Sequence, residues 1–198
     1  MKNGMHKGYS TSEALEQHLG YWDDLRFPSS AVRLSGSQPP TSVAYKGGLV
    51  LSFSSVSDKT IYFNAQMPHG YETTDDLDFH IHYVLPTSGA GAGAENMKFD
   101  LTYAWADING VIPAETTLTA TMDVQNQVAD THYLFDMGNI LTSNRGAATP
   151  AGGVSSMLIC SLTRDVGVAN DYATNIYLIE ADFHYRFNSP GSREEYLK

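Results

Sequence analysis

The chain has 198 residues, a formal net charge of -10, 12 Lys and Arg in all, and one cysteine. That length suits one well-cored domain. Twelve scattered cations exclude a phosphate-tracking nucleic-acid surface, and a lone thiol excludes an intrachain disulfide.

No run of the sequence approaches a membrane span, and the opening MKNGMHKGYSTSE lacks the apolar stretch of a secretory signal. Folding in the cytoplasm where the chain is made is therefore expected. With 17% charged residues and 12 tyrosines beside abundant Gly, Ser and Thr, the composition favours strands and turns over helices.

Residues 1–47 read as an extended N-terminal arm. Ser10 followed by Glu13 is a capping-box pattern that predicts a short helix over Glu13 to Leu19, ending at Gly20. Beyond it, YWDDLRFPSS and VRLSGSQPPTS carry Pro28, Pro39 and Pro40 with little alternation. The arm is expected to lie on its own domain or on a neighbouring subunit through Tyr21, Trp22, Asp23, Asp24, Leu25 and Phe27. Asp23 and Asp24 could be read as a catalytic carboxylate pair, but adjacent residues seldom point at one substrate.

From 48 to 187 the strand pattern hardly stops. Gly48 to Ser54 and Thr60 to Gln66, joined by SVSDK, predict an antiparallel hairpin. The polar loop MPHGYETTDD precedes LDFHIHYVL, where Leu77, Phe79, Ile81, Tyr83 and Leu85 alternate with Asp78, His80, His82 and Val84 as in a half-buried central strand. The small-residue loop PTSGAGAGAEN leads to Met97 to Ile108, and the two strands are expected to form a second hairpin. The string GAGAGAE has neither Lys-Ser/Thr nor a following helix, so it is not a phosphate loop.

Glu115 to Val124, rich in Thr on one face, fits an outer strand, and His132 to Met137 a short one. In Val154 to Thr163, Cys160 shares a face with Leu158 and Leu162, which predicts a buried, inert thiol. Asn175 to Phe187 places Tyr177, Ile179, Ala181, Phe183, Tyr185 and Phe187 on one side, and residues 188–198 form a polar tail. About eight strands and no long helical pattern predict an all-β, two-sheet antiparallel sandwich, jelly-roll-like in order, with an up-and-down barrel as the competing topology.

His80 and His82 share a face, as do Asp182 and His184. If the two strands are neighbours, a metal such as iron, zinc or manganese could be held there. The His-x-His resembles that of cupins, yet VLPTSG has no carboxylate where cupins carry a glutamate. The weightier reading is a polar face whose side chains bond to one another. No catalytic residue and no cofactor are expected.

The segments YWDDLRFPSS, FNAQMPHGYETTDDLDFHIHYVLP, LTYAWADINGVIPA, VSSMLICSLTR and IEADFHYRFNSPGSREEYLK resemble a family of uncharacterised tailed-bacteriophage proteins encoded among virion structural genes. The resemblance runs over nearly the whole chain from Trp22. It implies a virion structural protein, synthesised in the host cytoplasm and located on the capsid surface. A decoration or cement role would make the major capsid protein its partner, with self-association as a trimer or dimer and no nucleic-acid or membrane partner. The alternatives are a tail or fibre component whose MPHGYETT loop offers aromatic rings to host glycans, and a cupin-type metalloenzyme.

Overall fold

The structure, a computed structural model, describes residues 21–147 and 152–191. The expected helix over Glu13 to Leu19 lies outside them, as does the tail from residue 192. Among the described residues there are twelve strands and one 3-10 turn, Thr142–Asn144, and no helix is long and apolar enough to cross a membrane.

Eight strands make the body: β4 (Gly48–Phe53), β5 (Lys59–Gln66), β6 (Leu77–Val84), β7 (Asn96–Ala106), β8 (Thr116–Asp123), β9 (Tyr133–Ile140), β11 (Met157–Arg164) and β12 (Ile176–Phe187). One sheet runs β4-β12-β6-β9, and the other runs β5-β11-β7 with β8 on the far edge of β7. All neighbours among these eight are antiparallel. This is jelly-roll order: β7–β8 is the only link of the body that stays within one sheet. The all-β sandwich expected from the alternation is therefore the fold.

Both expected hairpins are corrected. β4 and β5 lie in different sheets, and so do β6 and β7. Alternation fixes which face of a strand is buried but not which strand lies beside it. A five-residue link reaches roughly 17 Å when extended, enough to cross the ~10 Å between stacked sheets. A tight hairpin forms instead between β3 (Thr41–Tyr45) and β4, closed by Lys46 and Gly47 at φ 45° and 88°. Positive φ at both central residues suits a two-residue turn that follows the strand twist.

The described part of the expected arm is built into the sandwich itself. β1 (Tyr21–Pro28) pairs along its whole length with β12, on the edge that β4 occupies further along. β2 (Arg33–Leu34) pairs with β5, and β10 (Arg145–Gly146) with β7. Leu25 and Phe27 pack on the core, the Phe27 ring 4.8 Å from Phe63 and 5.8 Å from Phe183. These two apolar positions are too few to announce a strand among neighbours that are charged or proline.

A bulge in β12 between Leu178 and Glu180 shifts the facing of that strand. Ile176 and Leu178 are buried before it and Ala181, Phe183 and Tyr185 after it, so Tyr177 and Ile179 do not point inward as a single alternation predicted. A second irregularity, in β9 opposite Phe79 and His80, coincides with Gly138 at φ 100°.

The core between the sheets holds Phe53, Ile61, Phe79, Phe99, Trp105 and Phe183, all without exposed surface. Cys160 is buried among them, and that burial pushes its thiol pKa up, as expected of an inert cysteine. A buried arginine joins the two layers. Arg164 at the end of β11 donates to the carbonyls of Phe53 (3.1 Å), Thr174 (3.0 Å) and Tyr172 (2.8 Å) and pairs with Asp171 at 3.1 Å, tying one sheet to the other.

Candidate functional site

The face that carries the expected chemistry is set by what the other face buries. Phe79 and Ile81 point inward from β6, so Asp78, His80 and His82 point outward. After the bulge in β12, Glu180, Asp182, His184 and Arg186 share that outer side. On β1, with Leu25 and Phe27 inward, Trp22, Asp24 and Arg26 join them.

Register then sets the rows. Asp182 lies between His80 and Arg26, His184 between Asp78 and Asp24, and Glu180 between His82 and Pro28. Arg26 donates from Nε and Nη2 to the two oxygens of Glu180, at 2.6 and 2.8 Å. His184 Nε2 stands 3.3 Å from Asp24 Oδ1, and the Trp22 ring leans on the His184 ring at 5.0 Å. Beyond β6, His82 Nδ1 shares a hydrogen bond of 2.9 Å with His132 Nε2, the rings stacked at 5.1 Å.

Asp182 sits at the centre and is only 3% exposed. Its carboxylate is 3.9 Å from His80 Nδ1 and 3.7 Å from His82 Nε2, and Oδ1 has no hydrogen-bond partner. Burial raises its pKa above the ordinary value, while positive charge on His82 or His80 works the other way. A cleft of about 320 Å³ opens on the same face, lined by Asp24, Arg26, His82, His132, Ile179 and Glu180.

The four proposed metal ligands, His80, His82, Asp182 and His184, do come onto one face, but they do not converge. His82 is engaged with His132, and His184 faces Asp24. No group of three His, Cys, Asp or Glu among the described residues is arranged to hold a metal ion.

The candidate partner contacts divide. Tyr21 and Trp22 are exposed at 58% and 51%, whereas Leu25 and Phe27 pack against the core. Asp23 Oδ2 accepts a 2.8 Å hydrogen bond from Tyr185 Oη. The MPHGYETT loop is corrected as an aromatic platform: Tyr71 has no exposed surface and donates its hydroxyl to the Asp75 carbonyl. Arg26, Glu180 and His132 were missed by the sequence reading. The alternation Trp22, Asp24, Arg26 would have found the first of them had β1 been read as a strand.

The outer face of the other sheet is different in kind. Tyr62, Met157 and Ile159 are 47, 42 and 49% exposed there, with Ile112 of the β7–β8 link at 59%. A cleft of about 260 Å³ between Tyr62 and Ile159 has Thr102, Ala104 and Ser161 on its floor and one charged neighbour, Glu115.

No family model and no curated protein sequence matches the chain. Among solved structures it is similar to the C-terminal family 22 carbohydrate-binding module of Clostridium thermocellum Xyn10B, at 15% identity and TM-score 0.37, over 78% of this chain and 85% of that one. It is also similar to CBM28, a carbohydrate-binding module specific for non-crystalline cellulose, at 11% identity and TM-score 0.38, over 79% and 86% of the two chains. A chain from the structure of infectious bursal disease virus, Gx strain, gives 11% identity and TM-score 0.38 over 88% of this chain and 35% of that one. Likenesses of this size assign no function.

Proposed function

We propose that the chain is a non-catalytic structural protein of a bacteriophage virion, a decoration or cement protein that binds the outside of the capsid through the outer face of the β5-β11-β7 sheet. The observation that carries this reading is the run of exposed, uncharged side chains there, Tyr62, Met157, Ile159 and Ile112, on a chain of net charge -10. Water-facing apolar side chains grouped on a rigid sheet, around a floor of small residues, are what a protein partner covers. The major capsid protein is the partner in this reading, with trimeric or dimeric self-association and a location on the capsid surface. The likeness of YWDDLRFPSS, HIHY, WADI and DFHY to virion proteins of tailed phages supports it. The His80, His82 and Asp182 group then serves as a polar network on the opposite face.

The test is the copy number and position of the chain in purified particles, with a Tyr62→Asp, Ile159→Asp variant beside the parent. Many copies spread over the shell, lost in the variant while its melting temperature holds, are expected. A few copies confined to the tail would move the protein to the tail or fibre class. Absence from particles, or full occupancy by the variant, would overturn the proposal.

A further inference from the structure

We propose that the outer face of the β1-β12-β6 sheet binds a neutral oligosaccharide, lying along β1 from Trp22 to the cleft at Arg26 and His132. The inference stands apart from the virion reading, since it concerns the other side of the sandwich.

Trp22 is half exposed and yet held in place. Its backbone is paired with Arg186 in the sheet, and its ring leans on His184 at 5.0 Å. An indole fixed at the surface is a platform for the apolar face of a sugar ring and has little rotamer freedom left to lose on binding. Asp24 and Arg26 follow it at every second position, so roughly 13 Å at ~3.3 Å per residue separates the backbone positions of Trp22 and Arg26 along the strand. That is the reach of a short oligosaccharide rather than a single sugar.

The far end is built for hydroxyl groups. Arg26 and Glu180 are locked together by two hydrogen bonds, and His82 and His132 by one, so planar donors and acceptors are already oriented around the cleft. Its volume of about 320 Å³ lies within the ~300–1,000 Å³ of small-molecule sites.

Charge narrows the class. Among the described residues of β1, β12, β6 and β9, Asp24, Asp78, Asp136, Glu180 and Asp182 are accompanied by two fixed cations, Arg26 and Arg186. Sulfated, phosphorylated or sialylated glycans would meet repulsion, and a neutral glycan would not.

The experiment uses the full chain and the fluorescence of its two tryptophans. Trp105 has no exposed surface, so iodide quenching reports on Trp22. Neutral hexasaccharides of glucose, xylose, mannose and galactose are titrated, with sialyllactose as the anionic control. At least one neutral probe is expected to bind and to protect Trp22 from iodide, while sialyllactose does not. Trp22→Ala and Arg26→Ala should each weaken that binding about tenfold or more, ~1.4 kcal/mol. Trp22→Tyr should keep most of it, and Trp22→Ala should melt within a few degrees of the parent. Binding by none of the neutral probes, equal binding of sialyllactose, or unchanged affinity in Trp22→Ala would each overturn the proposal. None of these outcomes alters particle occupancy, which tests the other face.

Discussion

Arg164→Met should unfold this protein more readily than any surface change, and the reason lies in what the guanidinium leaves behind. Arg164 has no exposed side-chain surface, and it donates to the carbonyls of Phe53, Tyr172 and Thr174 while pairing with Asp171, whose side chain is 13% exposed. Methionine fills much of the volume but donates nothing. Stranding one partner of a buried ion pair costs about 3–5 kcal/mol, and each buried carbonyl left without a donor about 1–3 kcal/mol. The effects overlap, because the same loop relaxes to rewet all of these groups, so we expect a net loss of about 3–5 kcal/mol. Against a total stability of roughly 5–15 kcal/mol, that is a large share.

The assay is chemical denaturation at pH 7, with calorimetry to follow a fall in Tm of roughly 6–20 °C. Asp171→Asn in the Arg164→Met background should restore about 1 kcal/mol or more, since it removes the unpaired carboxylate. A single variant that loses less than about 1 kcal/mol would refute the inference that Arg164 joins the two sheets. A double variant no better than the single would show that Asp171 is not the partner that matters.

Asp182 gives a pH-dependent counterpart. Its pKa is raised in the folded state by burial, so the native protein holds that proton more tightly than the unfolded chain does, and stability falls as pH rises from the unfolded value of 3.8 through the raised one. Asp182→Asn should abolish that fall, making the variant the more stable form at pH 7, with the difference closing below about pH 4 in denaturation curves. Phe79→Ala, at a position with no exposed surface and rings of Phe183 and Phe63 at 5.0 and 6.1 Å, should cost about 3–5 kcal/mol in the same measurement. Cys160 should react with a maleimide only as fast as the native state opens, and rapid stoichiometric labelling of folded protein would contradict its burial. Gly47→Ala, at φ 88° in the β3–β4 turn, should lose about 1 kcal/mol, read as a shift in the denaturation midpoint.

How far the site was legible follows from the same physics. His80 and His82 could be placed on one face by period two, and Asp182 and His184 on another, because alternation survives in the sequence wherever a strand buries one side. That the two strands adjoin, with Asp182 opposite His80, is a matter of register between residues a hundred positions apart, and no local pattern carries it. That Trp22, Asp24 and Arg26 share one strand face was hidden for a different reason: β1 pairs at a sheet edge beside Pro28 and shows only Leu25 and Phe27 to the core.

By itself the sequence determined that this chain is all-β, with Phe79 and Ile81 on the buried face of a central strand and a single buried thiol at Cys160. The facing of side chains is a local property, fixed by the pleat and by the removal of apolar surface from water. Only the tertiary structure decided that β4 and β5 part into opposite sheets, that a bulge turns Ile176 and Leu178 inward ahead of Ala181, and that β1 lies on β12 to join Trp22 and Arg26 to the histidine face. Those outcomes depend on which edges pair and which links cross the core, and they are settled by the packing of the whole sandwich at once rather than by any one strand.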